Sequence, residues 1–196
     1  MIASTYLYVW NDTQHCSIVA SGLQFTDFEP LLRGKSGLLL LRHHFEGARR
    51  NIKSGLDYIE VERIQLLAKS DIYSWGDFYW ADYSVPDLAH LTADEVSELS
   101  YFSTEALPKK APRINSLGND FLVAAHDDGW YIRAFYSDWD FMAQVIQRRA
   151  PELTIKDLDS LRVGTSGFWI NSGEVRTEEM TFDVDVVINR NLKRLK

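Results

Sequence analysis

The chain has 196 residues and a formal net charge of −7; 45% of the residues are hydrophobic, 25% charged and 13% aromatic. That balance excludes disorder, a collagen-like repeat and a disulfide-dependent miniprotein, and it supports a full hydrophobic core in one domain spanning 1–196, with 1–54 left open as a minor lobe. An acidic surface repels phosphate backbones and suits a basic protein partner, while the single cysteine, Cys16, excludes an intramolecular disulfide or a thiolate metal cluster.

Residues Met1 to Trp10 lack the charge and the apolar run of a signal peptide, and no stretch approaches the roughly 18 apolar residues of a membrane span. The expected compartment is the cytoplasm, without membrane contact.

Tyr6–Trp10 and Cys16–Ala20 are rich in β-formers and flank Asn11-Asp12, which predicts a hairpin ended by Gly22. Phe25, Phe28, Leu31 and Leu32 sit at helical spacing and Thr26 with Glu29 matches a capping box, so a short helix limited by Pro30 is expected. Leu38–Leu41 reads as a buried strand, and Glu46–Gly55 as a surface loop or lobe boundary. A helix is predicted over Glu60–Lys69 on the stripe Val61, Ile64, Leu67 and Ala68, although Ile59 and Val61 alternate with Glu60 and Glu62 as in a strand. Ile72–Tyr83 is aromatic and β-prone, with Gly76-Asp77 as a bulge or turn.

Thr92 and Glu95 form a second capping box, with Leu91 and Val96 as its hydrophobic staple, so a helix should start there and bury Val96, Leu99 and Phe102. Phe121–Ala125 and Trp130–Tyr136 flank Asp127-Asp128-Gly129, a hairpin signal because Asp-Gly supplies the positive φ that the turn needs. Ser137 or Asp138 caps a predicted helix from Trp139 to Arg149, stopped by Ala150-Pro151, with Trp139, Met142 and Ile146 inward. A short helix near Ile155–Leu161, a strand at Gly167–Ile170, a turn at Asn171-Ser172-Gly173 and an alternating strand at Phe182–Ile188 complete the chain. Strands that come in adjacent hairpins predict an α+β fold: a largely antiparallel sheet packed by three to five helices.

Gly34-Lys35-Ser36 ends like a phosphate-binding loop, but Glu29 stands where the first glycine must be. His126-Asp127-Asp128 is the best candidate for acid–base or metal-assisted chemistry, since an imidazole beside two carboxylates can tune a general base. Against it, neighbouring residues at a hairpin tip diverge, and Asp-Asp-Gly is already explained by the turn. His43-His44 would face opposite sides of a strand, so no metal centre and no cofactor are expected. Cys16 reads as a small core residue.

The aromatic segment needs a reason of its own. Alternation puts Phe78 and Trp80 on one strand face and Tyr79 and Tyr83 on the other, so either helices cover both faces or some rings are exposed. Exposed rings would make Trp75, Asp77, Tyr79, Trp80 and Asp82 the anchors of an acidic interface. The C-terminal Arg190, Lys193, Arg194 and Lys196 are the one place where nucleic acid could be bound.

Ile72–Trp80 and Ala125–Tyr131 resemble segments of a little-studied family of small soluble bacterial proteins, a resemblance that covers about residues 60–145. It implies a bacterial or phage source and no activity, because that family has no established function. The functional expectation is a non-catalytic acidic interaction module, of the immunity or antitoxin type, that inhibits a basic protein. The alternative is a small hydrolase or metal-assisted enzyme centred on His126, Asp127 and Asp128.

Overall fold

The computed structural model describes residues 7–12, 15–42, 44–70, 77–85, 88–104, 111, 114–126, 129, 131–151, 153–154, 156–158, 166–171 and 174–179. Its first half holds β1 (Leu7–Asp12), β2 (Ser17–Ser21), α1 (Phe25–Phe28), a 3-10 turn (Glu29–Gly34), β3 (Gly37–Leu40), β4 (Arg49–Arg50), β5 (Asp57–Glu60), a 3-10 turn (Val61–Arg63) and α2 (Ile64–Lys69). The second holds β6 (Phe78–Tyr83), α3 (Ala93–Phe102), β7 (Phe121–His126), β8 (Tyr131–Tyr136), α4 (Trp139–Arg149), β9 (Ser166–Asn171) and β10 (Glu174–Glu179).

The fold is α+β, with one open antiparallel sheet in the order β10-β9-β1-β2-β8-β7-β6-β3-β5-β4. Residues before Ser54 supply strands to both halves of this sheet: β1 and β2 lie between β9 and β8, and β3 lies between β6 and β5. The Glu46–Gly55 segment contains β4, which pairs with β5.

Antiparallel sheets commonly leave one face to water. Here β6 and β7, FYWADY and FLVAAH, are buried at every position, because each face carries its own core. On the first face Phe78, Trp80 and Val123 pack under Phe25, Phe28, Ile64, Met142 and Ile146 from α1, α2 and α4. On the second, Tyr79, Ala81, Tyr83 and Leu122 pack under Leu99 and Phe102 of α3 together with Leu88, Ile114 and Leu117. Trp80 meets Phe25 and Phe28 edge to face at 5.7 and 5.3 Å, the arrangement that ring quadrupoles favour.

Local signals explain most boundaries. Gly22 and Gly129 take positive φ where the β2 strand ends and the β7–β8 hairpin turns. The first capping box sits two residues earlier than predicted: Thr26 lies inside α1, and Asp27 accepts a hydrogen bond from the Gln24 N–H at 2.7 Å. Both readings of the 57–69 segment apply in turn, since Ile59 is in β5 and the helix starts only at Ile64. β10 was not foreseen at Glu174–Glu179, and the strand predicted at Phe182–Ile188 lies outside the described residues.

Candidate functional site

His126 ends β7 with its side chain on the second face of the sheet and is 3% exposed. Its sequence neighbours Asp127 and Asp128 lie outside the described residues. The carboxylate that reaches it belongs to Asp77, whose Oδ1 lies 3.2 Å from His126 Nδ1. Tyr79, two residues on, brings its phenol oxygen to 2.6 Å from Nε2 and 3.2 Å from Nδ1, so Nε2 is the partner. Tyr131 stacks on the imidazole at 5.2 Å, across the hairpin register His126↔Tyr131.

Burial first, then the Asp77 charge, pushes the Tyr79 phenol well above its ordinary value. A phenol that keeps its proton is a donor, so Tyr79 O–H donates to Nε2 and His126 Nδ1–H donates to the Asp77 carboxylate. Arg42 closes the cluster. It pairs with Asp77 at 3.0 Å, lies over the Tyr79 ring at 5.3 Å and donates to the Ser103 carbonyl at 3.3 Å. That carbonyl belongs to the C-cap of α3, where a cation complements the helix dipole.

The sheet therefore joins Asp77, Tyr79 and His126, from two separate sequence proposals, into one polar cluster beneath the C-terminal end of α3. The same burial corrects their expected role. Tyr79 and Trp80 are 0% exposed and cannot be surface anchors, because helices cover both faces of β6. Asp82 is also 0% exposed: it accepts from the N–H groups of Asp120 and Phe121 at 2.9 and 2.6 Å and pairs with Lys35 at 3.1 Å. It fastens the start of β7 to β6 and offers nothing to a partner. Of the five predicted anchors, Asp77 alone is described with partial exposure, and Trp75 lies outside the described residues.

Two smaller expectations also change. Cys16 is exposed with φ +45° just before β2, so it is not a core residue. His44 lies beyond β3 and donates to Asp57 at 2.8 Å, with His43 outside the described residues. Among the described residues no three His, Cys, Asp or Glu side chains gather as metal ligands, and no helix is long and apolar enough to cross a membrane.

The surface that sequence reasoning missed is the outer side of α3. Thr92 and Glu95 form the predicted box, with Glu95 N–H donating to Thr92 Oγ1 at 3.2 Å and Thr92 N–H to the Glu95 carboxylate at 2.9 Å. Glu95 also accepts from the Ser116 hydroxyl and from the Ser116 N–H at 3.1 Å, and these bonds, the hydroxyl first and then those of the capping box, pull its carboxyl down to about 2. Positions 94, 98 and 101 run along one side of the helix, flanking the buried stripe of Leu99 and Phe102, and Asp94, Glu98 and Tyr101 are exposed there. Tyr101 is 67% exposed.

Comparison with protein-family models, curated proteins and solved structures returns no match. The signal for α3 was present in the sequence: once Leu99 and Phe102 are assigned inward, the helical period turns Tyr101 outward.

Proposed function

We propose that this chain is an acidic protein-binding module, of the immunity or antitoxin type, that docks a basic protein on the outer face of α3. The observation that carries this reading is Tyr101, a large amphipathic ring 67% exposed, one turn from Glu98 and two turns from Asp94 on a helix held at both ends. Tyrosine is enriched among residues that dominate binding energy, and flanking carboxylates steer a basic partner toward it. The net charge of −7 acts in the same direction.

On this proposal the cluster of Asp77, Tyr79, His126 and Arg42 is support for the docking helix. Helix α3 is fixed at its start by the Glu95–Ser116 bonds and at its end by Arg42 on Ser103. The proposal is tested by Asp94→Lys with Glu98→Lys, which should weaken capture of a basic partner and reduce the dependence of binding on salt. Unchanged affinity and salt dependence would remove α3 from consideration. The basic residues Arg190, Lys193, Arg194 and Lys196 lie outside the described residues.

A second reading, hydrolytic or metal-assisted chemistry at His126, draws support from the Asp77 carboxylate 3.2 Å from the ring. Turnover of an ester, phosphoester or amide substrate that disappears in a folded His126→Gln variant would establish it. The imidazole is 3% exposed and engaged at both nitrogens, which is why docking on α3 is the preferred function.

A further inference from the structure

On the first face, away from α3, the 3-10 turn Glu29–Gly34 and the Val61–Gln65 segment enclose a cleft of about 240 Å³. That volume falls below the roughly 300–1,000 Å³ of ordinary small-molecule pockets, so its natural content is one side chain. Leu32 and Ile64, 0% and 2% exposed, form an apolar floor with Val61. Glu29 and Glu62 line it together with a single cation, Arg33, and the neutral Gln65. Among the described residues no salt bridge or hydrogen bond occupies the side-chain carboxylates of Glu29 and Glu62.

An apolar floor under two uncommitted carboxylates is the complement of a long basic side chain, whose methylene stem lies on hydrocarbon while its charged end stays at the wet rim. We infer that this cleft is a socket for one lysine or arginine side chain of a protein partner. The inference rests on the acidic-module reading for the source of that side chain, and it adds a second contact on the opposite face of the sheet from α3. It also gives Arg33 a sign: a cation at the rim opposes the incoming charge and keeps the socket weak until other contacts form.

The test uses the full chain with methyl-labelled Leu, Val and Ile, titrated with Nα-acetyl-arginine amide and Nα-acetyl-lysine amide, with Nα-acetyl-norleucine amide as the uncharged probe. The expected result is a saturable shift of the Leu32, Val61 and Ile64 methyls with the two cationic probes. Glu29→Gln and Glu62→Gln should each weaken binding about two- to fivefold, the scale of exposed charge pairs, and Arg33→Gln should strengthen it by a similar factor. Glu98→Gln, on the other face, should change nothing. Absence of a saturable shift, an equal response to the norleucine probe, or unchanged affinity in both Glu→Gln variants would overturn the socket. Because the probes report on the cleft directly, a socket that fails here leaves docking on α3 standing, and the reverse holds equally.

Discussion

Tyr79 and His126 stand 47 residues apart in the chain and meet through a buried contact of 2.6 Å between the phenol oxygen and Nε2. The pairing of β6 with β7, which sets Phe78 opposite Ala125 and Tyr79 opposite Ala124, brings the two side chains to the same face. Tyr79 also packs edge to face on Phe102 at 5.8 Å, so the contact sits directly under α3.

Removing that hydrogen bond should cost stability out of proportion to its surface area, because the groups involved are desolvated. Tyr79→Phe should lower the unfolding free energy by about 1–3 kcal/mol in urea titrations. A double-mutant cycle with His126→Phe should return a coupling of about 0.5–3 kcal/mol between the two sites. Additive effects would show that the contact contributes nothing.

Asp82 separates a structural role from a binding role. Burial raises the pKa of its carboxyl, and the Asp120 and Phe121 N–H groups and Lys35 oppose that rise. Asp82→Ala removes one partner of a buried pair and should destabilise the fold by about 3–5 kcal/mol. A variant that keeps its wild-type unfolding midpoint but loses binding would return Asp82 to the interface.

Glu95 should mark the acid side of the stability profile. Its folded value, about 2, lies below its ordinary 4.5, so its contribution is present above pH 4.5 and is lost as pH falls toward 2. In Glu95→Gln the unfolding midpoint should be lower at neutral pH, and its decline across that window should be shallower than in the wild type. Equal slopes would show that the capping box and the Ser116 bonds do not depend on the charge.

The support given to α3 by Arg42 predicts an effect at a distance. Arg42→Met keeps a long apolar stem but cannot pair with Asp77 or donate to Ser103. Amide exchange should rise in the last turn of α3, and affinity for a basic partner should fall with the Tyr101 surface still present. Unchanged exchange in Tyr101 to Ser103 would show that Arg42 does not hold the helix.

Helix α3, helix α4 and the β7–β8 hairpin were legible in the sequence because each is written locally: the Thr92–Glu95 box, the Asp138 cap and the Asp-Asp-Gly turn act within a few residues of themselves. The aromatic content of both faces of β6 was legible too. Whether a second layer covers the Tyr79 face depends on Leu88, Leu117 and α3, which arrive by long-range packing, and alternation alone does not carry that information. The same limit explains the site. Local spacing offers His126 only its neighbours Asp127 and Asp128, whereas Asp77 reaches it through the strand register. Local sequence presents Asp82 as a rim charge because its partners, Lys35 and the start of β7, are remote in sequence.

The most direct measurement is a comparison of capture, from lysate of the source organism, by the wild-type chain and by a folded Asp94→Lys, Glu98→Lys, Tyr101→Ala variant, at low and high salt. The predicted result is a stoichiometric basic protein bound by the wild type, released at high salt and lost by the variant. A partner held equally by both chains, or no salt-sensitive partner for the wild type, would contradict docking on α3.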